Sequence, residues 1–299
     1  MRNVRNVFLL FAALVMLIAI PVMAEEKSSD FLSFGEMSFP ANSEYIDMGK
    51  LKVTDFDKFE AFLDQFPNLK KVDMFATPIW RPHIEELAER YPQIEFGWTM
   101  RLAEHTIRTD QTAFSTLHNH NSEFHDERQF SILKYCKNLQ ALDIGHNKVM
   151  DLSFLYDLPH LKVLIAACEL TLKDITPIGS LKELQYLELF KNDINDISCL
   201  ANCTELVDLN ICFNRIKDWT PLYGLTKLER LWLFNSSNYS DIPIPDDVVQ
   251  ALKDHLPDTY VDATSYSTDG GWREHPRYFE LYDFFRTGVF VPFASLEGK

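Results

Sequence analysis

The chain has 299 residues, of which 46% are hydrophobic and 24% are charged, and its formal net charge is −15. This composition is too apolar for an intrinsically disordered protein, and it supplies enough hydrophobic residues for a large core. The negative charge disfavours nucleic acid and anionic membranes as partners, because both repel an acidic surface. The 10 glycines are few for this length, which disfavours a fold built on glycine-rich phosphate loops.

The N-terminus has the pattern of a secretory signal peptide. Arg2 and Arg5 precede an apolar run from Val7 to Val22, and Ala24 supplies the small residue that a signal peptidase requires. We therefore predict cleavage after Ala24, a secreted or extracellular protein, and a flexible lead over residues 25–42. The alternative is an uncleaved membrane anchor, although the apolar run is short for spanning a bilayer.

An internal repeat organises the middle of the chain. A Leu-x-x-Leu-x-Leu pattern, with one Ala in its second copy, recurs at intervals of 22 or 23 residues; its copies open at Leu139, Leu161, Leu184, Leu206 and Leu228. An Asn stands eight residues after the opening Leu in three copies, at Asn147, Asn192 and Asn214. In the 23-residue copy, one extra residue puts Glu169 in the place of the Asn.

Each repeat predicts a short strand, a turn and a return segment. One such unit cannot bury its own apolar edge, but parallel stacking of neighbouring units makes a continuous core. The aligned Asn amides follow the strands, where they can satisfy backbone groups that the core would otherwise leave unpaired. The repeat therefore predicts a ladder of structural amides.

This pattern resembles the short leucine-rich repeat of bacterial internalin-type proteins over about residues 130–240, and the overall plan is similar to bacterial secreted leucine-rich-repeat proteins. The resemblance implies an α/β leucine-rich-repeat solenoid, with a curved parallel sheet on the concave face and short helices and turns on the convex face. We divide the mature chain into irregular N-terminal repeats (43–130), regular repeats (131–240) and a C-terminal cap (241–299).

The flanking regions carry further predicted elements. Residues 55–66 and 82–91 are amphipathic and each ends before a proline, which predicts convex helices in longer repeats. Residues 94–102 alternate apolar side chains and predict a strand. Thr77 occupies the Asn place. Residues 246–256 predict a helix, and the aromatic segment 270–285 is interpreted as irregular.

The side chains that point away from the core on the concave face form the predicted binding site. In the C-terminal repeats they combine aromatic and charged residues, as protein interfaces do. The predicted set comprises Tyr186, Glu188, Phe190, Asp208, Phe213, Arg230, Trp232 and Phe234. The alternative is that the chain covers this patch with its own tail, over Phe284 to Phe293.

Two other groups of residues have side chains that could ligate a metal or act in catalysis. His118, His120 and His125 have a spacing that could ligate zinc, but the stretch is polar and contains no Cys, so a solvated loop is favoured. Cys168 and His146 occupy equivalent outward places in adjacent repeats, with Asp143 near enough to orient the imidazole. A shallow sheet offers no cleft for such a nucleophile. We predict neither a metal nor a cofactor.

These patterns favour a secreted, non-enzymatic protein that binds a protein or peptide partner on the concave face. A carbohydrate or cell-wall binder that uses Trp232, Glu188 and Asn210 is the alternative, and a hydrolase based on Cys168 and His146 is a weaker one. Among the five cysteines, Cys136 and Cys203 align with apolar core positions and are predicted to be buried.

Overall fold

A computed structural model describes residues 30–102, 104–116, 127–237, 240–266 and 268–296. The predicted signal peptide lies outside these residues. The N-terminal region folds into a hairpin, a four-stranded sheet and two convex helices. Its elements are β1 (Phe31–Phe34), β2 (Met37–Pro40), β3 (Tyr45–Asp47), α1 (Phe56–Leu63), β4 (Lys71–Ile79), α2 (Arg81–Arg90), β5 (Glu95–Leu102) and β6 (His105–Arg108).

A flexible lead was predicted over residues 25–42, and the hairpin corrects this prediction for residues 31–40; residues 25–29 lie outside the described part of the chain. Strands β1 and β2 pair antiparallel. The ring of Phe34 lies 5.3 Å from the rings of both Phe59 and Phe62 on α1, and Phe39 packs against Phe62. Burial of these aromatic rings holds the segment on the first convex helix. Within the described part of the chain, no helix is long and apolar enough to cross a membrane.

The predicted N-terminal helices and strand are confirmed. Helix α1 begins after Asp55, whose carboxylate accepts a hydrogen bond from the backbone N–H of Lys58 at 3.1 Å and so caps the first turn. Strands β3, β4 and β5 are parallel neighbours, and β6 returns antiparallel to β5. Thr77 fills the Asn place as predicted, since its hydroxyl oxygen accepts the backbone N–H of Val53 at 2.8 Å.

A second, seven-stranded parallel sheet forms the regular solenoid and confirms the predicted α/β leucine-rich-repeat fold. Neighbouring strands follow one another in sequence, as stacking of one unit on the next requires. The strands are β7 (Ala113–Ser115), β8 (Ala141–Asp143), β9 (Val163–Ile165), β10 (Tyr186–Glu188), β11 (Asp208–Asn210) and β12 (Arg230–Trp232), with a seventh added by the C-terminal region.

In the regular repeats, the convex side is built mainly from short 3-10 helices, in contrast to the α-helices of the N-terminal repeats. The 3-10 helices occupy the return segments of the repeats at Ser131–Tyr135, Ser153–Asp157, Thr176–Ser180, Ser198–Asn202 and Thr220–Leu222. The first of these follows a single helical turn, α3 (Glu127–Phe130). Because the return segment is shorter than in the N-terminal repeats, each unit fits in 22 or 23 residues.

The predicted amide ladder is present and includes the substituted carboxylate. The Asn214 amide donates to the carbonyls of Leu189 and Ile211 at 2.9 and 3.0 Å, and its oxygen accepts from the Ile194 N–H at 3.1 Å. Glu169 takes the same role two repeats earlier, since its carboxylate accepts from the Val149 N–H at 2.9 Å. Each rung thereby ties one turn to the next.

Replacement of Asn214 by alanine is expected to lower the free energy of unfolding by about 1–3 kcal/mol, because the change leaves buried backbone groups without partners. The exposed Asn138, which lies outside the ladder, is the matched control for the same substitution. Chemical denaturation of both variants measures the difference. Equal stability of the two variants would show that the ladder contributes nothing.

The C-terminal region continues the solenoid by one strand and then turns back. Two short strands, β13 (Ser236–Ser237) and β14 (Ser240–Asp241), first form a hairpin. Helix α4 (Asp246–His255) then leads to β15 (Tyr260–Asp262), which pairs parallel with β12. The segment interpreted from sequence as irregular contains a further helix, α5 (Pro276–Thr287), so that interpretation was wrong.

Two residues mark the ends of α5. Pro276 stands in its first turn, where no backbone N–H is required. Gly288 ends the helix with a φ of 73°, a left-handed conformation that glycine adopts without strain. Aromatic residues on both sides of the helix obscured its period in the sequence, because some face the solenoid and others, including Phe279 and Tyr282, are exposed.

Candidate functional site

The C-terminal strap, which we define as residues 268–296, lies across the concave face of the seven-stranded sheet. At one end, the Trp232 indole N–H donates to the backbone carbonyl of Asp269 at 3.0 Å. At the other end, the carbonyl of Gly288 accepts the N–H groups of Thr112 and Ala113, both at 3.1 Å, beside β7. The strap therefore spans the sheet from β12 to β7.

This strap covers most of the binding residues that were predicted from the sequence. Of the eight side chains expected on an open face, six are buried and two, Phe213 and Phe234, are half-buried. The buried six are Tyr186, Glu188, Phe190, Asp208, Arg230 and Trp232. The strap buries them because their aromatic rings would otherwise leave a large apolar patch in water. The structure agrees with the alternative in which the chain's own tail occupies this patch.

Aromatic side chains make a second hydrophobic core between strap and sheet. Trp272 lies between two predicted binding residues, with ring centroids 5.1 Å from Trp232 and 5.6 Å from Tyr186. Phe293 packs 6.2 Å from Tyr186, and Phe284 lies 5.7 Å from Phe293. These spacings are typical of stabilising aromatic pairs, so the strap is an integral layer of the fold.

A buried charge cluster fixes the strap on the sheet. Asp208 accepts two hydrogen bonds from the Arg230 guanidinium, both at 2.8 Å, and two from Arg277 of the strap, at 2.6 and 2.7 Å. Burial opposes ionisation of Asp208, but the two guanidinium groups outweigh it and hold its pKa below the usual value. Arg277 also donates to Glu229 at 2.8 Å.

The residues proposed for carbohydrate recognition are enclosed in the same layer. The Glu188 carboxylate accepts the indole N–H of Trp272 at 2.8 Å and the hydroxyl of Tyr186. Asn210 and Trp232 are also buried. The three side chains that this alternative requires, Trp232, Glu188 and Asn210, are therefore not presented to a ligand.

A groove remains open beside the strap, at the edge where the strands end. Its volume is about 410 Å³. The groove is lined by His146, Cys168, Phe190, Lys191, Phe213, Tyr266, Thr268, Asp269 and Arg273. Four of these residues occupy the same place in successive repeats and share a left-handed backbone, with φ values from 56° to 63°: His146, Cys168, Lys191 and Phe213. Identical turns therefore align their side chains along one edge.

The groove combines an aromatic wall with positive charge. The rings of Phe213 and Phe234 lie 5.3 Å apart, and Tyr266 packs 5.7 and 4.6 Å from them. Burial lowers the pKa of His146, and the positive charges of Lys191 and Arg273 lower it further. All three groups line the same groove.

The geometry does not support the Cys168 and His146 nucleophile. No hydrogen bond joins the two side chains among the described residues, and Asp143 accepts from Gly145 N–H and the Ser115 hydroxyl instead of orienting the imidazole. Burial raises the pKa of the Cys168 thiol to about 11, so almost no thiolate forms near neutral pH. The prediction that Asp143 orients His146 was wrong.

Alkylation of the native protein is expected to separate the thiols by exposure. Cys168 and Cys199 are half-buried and should react slowly, whereas Cys136, Cys203 and Cys212 are buried and should react only after unfolding. Mass spectrometry of the modified peptides measures the order. Rapid modification of Cys136 or Cys203 under native conditions would contradict their place in the core.

The predicted histidine loop is not part of this site. His118, His120 and His125 lie outside the described residues. Elsewhere in the chain, the residues that the structure describes contain no group of three or more His, Cys, Asp or Glu side chains placed to hold a metal.

Arg273, Tyr266 and Lys191 line the groove but were not among the binding residues predicted from the sequence. Lys191 could have been found, because it occupies the same outward place as His146, Cys168 and Phe213 in the repeat. Arg273 and Tyr266 reach the groove through the path of the strap and of the segment before it, and the repeat pattern carries no information on that path.

Comparisons with known proteins agree with the fold. Residues 182–224 match the family described as leucine rich repeats (2 copies). Internalin C2 from Listeria monocytogenes is 20% identical with a TM-score of 0.37, over 74% of this chain and 80% of that one. A second Listeria monocytogenes internalin is 19% identical with a TM-score of 0.33, over 71% and 67% of the two chains. A leucine-rich-repeat protein from Leptospira interrogans is 15% identical with a TM-score of 0.39, over 76% and 55%.

No curated protein sequence matches the chain. The stacked parallel strands and the matched repeats make the fold a leucine-rich-repeat solenoid, an architecture that commonly serves as a scaffold for protein interactions and is consistent with a binding role.

Proposed function

We propose that this is a secreted, non-enzymatic binding protein that recognises a protein or peptide partner through the groove beside the strap. The observation that carries the proposal is the open groove itself. It is lined by the aromatic residues Phe213 and Tyr266 and by the exposed cations Lys191 and Arg273. Its volume of about 410 Å³ suits a short segment of a partner. Phe190 and Phe213 belong both to this groove and to the binding set predicted from sequence.

Binding is favoured over catalysis because the groove lacks an activated nucleophile. The only thiol among its lining residues, that of Cys168, has a raised pKa and no hydrogen bond to His146. Peptide recognition is favoured over carbohydrate recognition because Trp232, Glu188 and Asn210 are enclosed by the strap. Aromatic side chains in a concave site are typical energetic anchors for a peptide.

Selection from a library of displayed random peptides tests this function. Enriched peptides are expected to bind Phe213→Ala about thirtyfold more weakly, since truncation of an aromatic anchor costs about 2 kcal/mol or more. Phe279→Ala is the matched control, because Phe279 is an exposed aromatic residue of α5 that does not line the groove. Failure to enrich any peptide, or equal losses in both variants, would refute the proposed site.

Secretion is tested separately by the N-terminus of the mature protein. Cleavage after Ala24 is expected to give a chain that begins at Glu25 and is recovered from the medium. Recovery of the full chain in the membrane fraction would favour the uncleaved anchor instead.

A further inference from the structure

The charge of the groove is opposite to the charge of the whole protein. The chain carries a net charge of −15, yet Lys191, Arg273 and His146 line this one groove. Asp269 is the single acidic residue among the lining side chains. A sequence-wide charge predicts repulsion of acidic ligands, but binding depends on the local field in the site.

The two cations are not neutralised by the protein. Neither Lys191 nor Arg273 forms an ion pair with another residue that the structure describes, and both side chains are exposed. Each lies near an aromatic ring instead: the Lys191 ammonium is 5.8 Å from the centre of the Phe213 ring, and the Arg273 guanidinium is 5.9 Å from that of Tyr278. Their hydrogen-bond donors are therefore available to a ligand.

The same cations act on several groups along the groove. Their positive charges lower the pKa of His146, in addition to burial. At the Cys168 thiol the same cations oppose burial and the negative charges of Glu169 and Glu188. The field of the two cations therefore favours a negative group beside His146, Lys191 and Arg273, at the exposed side of the groove. An aromatic or aliphatic side chain beside it would contact Phe213 and Tyr266.

We propose that the groove binds an acidic peptide segment, with side-chain carboxylates paired to Lys191 and Arg273 and an apolar side chain packed on Phe213. This inference rests on the proposed function and specifies its ligand. A short peptide is favoured over nucleic acid or another long polyanion, because charge that extends beyond the groove meets the acidic surface of the rest of the protein.

Two synthetic peptides of equal length test the ligand class. One alternates Glu with Phe, and the other alternates Gln with Phe; both are acetylated and amidated so that the side chains alone differ in charge. Fluorescence anisotropy at low ionic strength is expected to show at least tenfold tighter binding of the Glu peptide, and added salt should reduce that advantage because it screens exposed charges.

Charge reversal at single positions tests which cations bind the carboxylates of the peptide. Lys191→Glu and Arg273→Glu are each expected to weaken binding of the Glu peptide about tenfold more than binding of the Gln peptide. Lys217→Glu is the matched control, because Lys217 is exposed, carries the same charge and does not line the groove. Unchanged melting temperatures confirm that the variants are folded.

The outcomes separate this inference from the proposed function. Equal affinity for the Glu and Gln peptides, with loss of both in Phe213→Ala, would overturn the acidic ligand while the peptide-binding function stands. An equal effect of Lys217→Glu and Lys191→Glu would show a non-specific charge effect and would also overturn it. Tighter binding of single-stranded DNA than of the Glu peptide, abolished by Lys191→Glu, would replace the peptide by a polyanion. No binding of either peptide, and none of selected peptides, would refute the function itself.

Discussion

Replacement of Asp208 by alanine is expected to lower the free energy of unfolding by about 3–5 kcal/mol, the largest effect of any single change considered for this protein. The carboxylate is the shared partner of Arg230 and Arg277, and its side chain is fully buried. Without it, two guanidinium groups remain in a space that excludes water. The cost arises from unpaired buried charge, so it exceeds that of an ordinary surface ion pair.

The strap is the element that should respond first. Because Asp208 accepts two hydrogen bonds from Arg277 of the strap, its loss is expected to loosen the strap and to speed cleavage by trypsin after Arg273, Arg277 and Arg286. Thermal unfolding and limited proteolysis measure the two effects. Asp218→Ala is the control, because the exposed Asp218 caps only a local turn through Thr220.

Wild-type stability and resistance to trypsin in the Asp208 variant would show that aromatic packing alone retains the strap.

The contribution of the Asp208 carboxylate to stability depends on pH with a defined sign. Its pKa is lowered in the folded state, so its stabilising contribution is present above the usual value of 3.8 and is lost as the pH falls through the folded pKa.

The second large effect is a fall in stability from mildly acidic to mildly alkaline pH. Burial raises the pKa of Asp143 to about 7 and that of Glu169 to about 8. Between about pH 4 and these values, the unfolded chain has lost protons that the folded chain retains. The folded state therefore binds more protons, and stability falls as the pH rises through this window.

Melting temperatures between about pH 4 and pH 9 measure this trend. The corresponding fall in the free energy of unfolding should amount to a few kcal/mol. Glu169→Gln is expected to flatten the profile, because the amide cannot titrate while its oxygen can still accept the Val149 N–H. Glu89→Gln is the control, since Glu89 is an exposed residue of α2. A wild-type profile that rises through neutral pH would contradict the raised pKa values.

The parts of the fold that could be predicted from the sequence are those encoded by a repeating local pattern of residues. The positions of the strands β8 to β12, the convex turns and the Asn ladder follow from the period, because each unit must place the same residue at the same point to stack on its neighbour. Even the substitution of Glu169 for Asn was visible from the 23-residue spacing. Helices α1, α2 and α4 could be predicted because their apolar residues recur on one face.

The hairpin at the N-terminus and the helix α5 were not predicted for a different reason. Neither belongs to the repeat, and each is held mainly by contacts with distant residues. In the hairpin, Phe34 and Phe39 rely on rings of α1. In α5, Arg277 binds Asp208 across 69 residues of sequence. No local pattern encodes such pairs.

The periodic residues are sufficient to specify the solenoid and the outward position of the concave side chains. Which of these side chains remain available to a partner depends on long-range packing, because the strap buries Tyr186, Asp208 and Trp232 and leaves Phe213 half-buried beside the groove. The same packing also brings Arg273 to Lys191, two residues that no periodicity connects. The physical reason is that repeat stacking is a local, nearest-neighbour property, whereas the position of the strap depends on one buried charge cluster and one aromatic layer formed across the whole sheet.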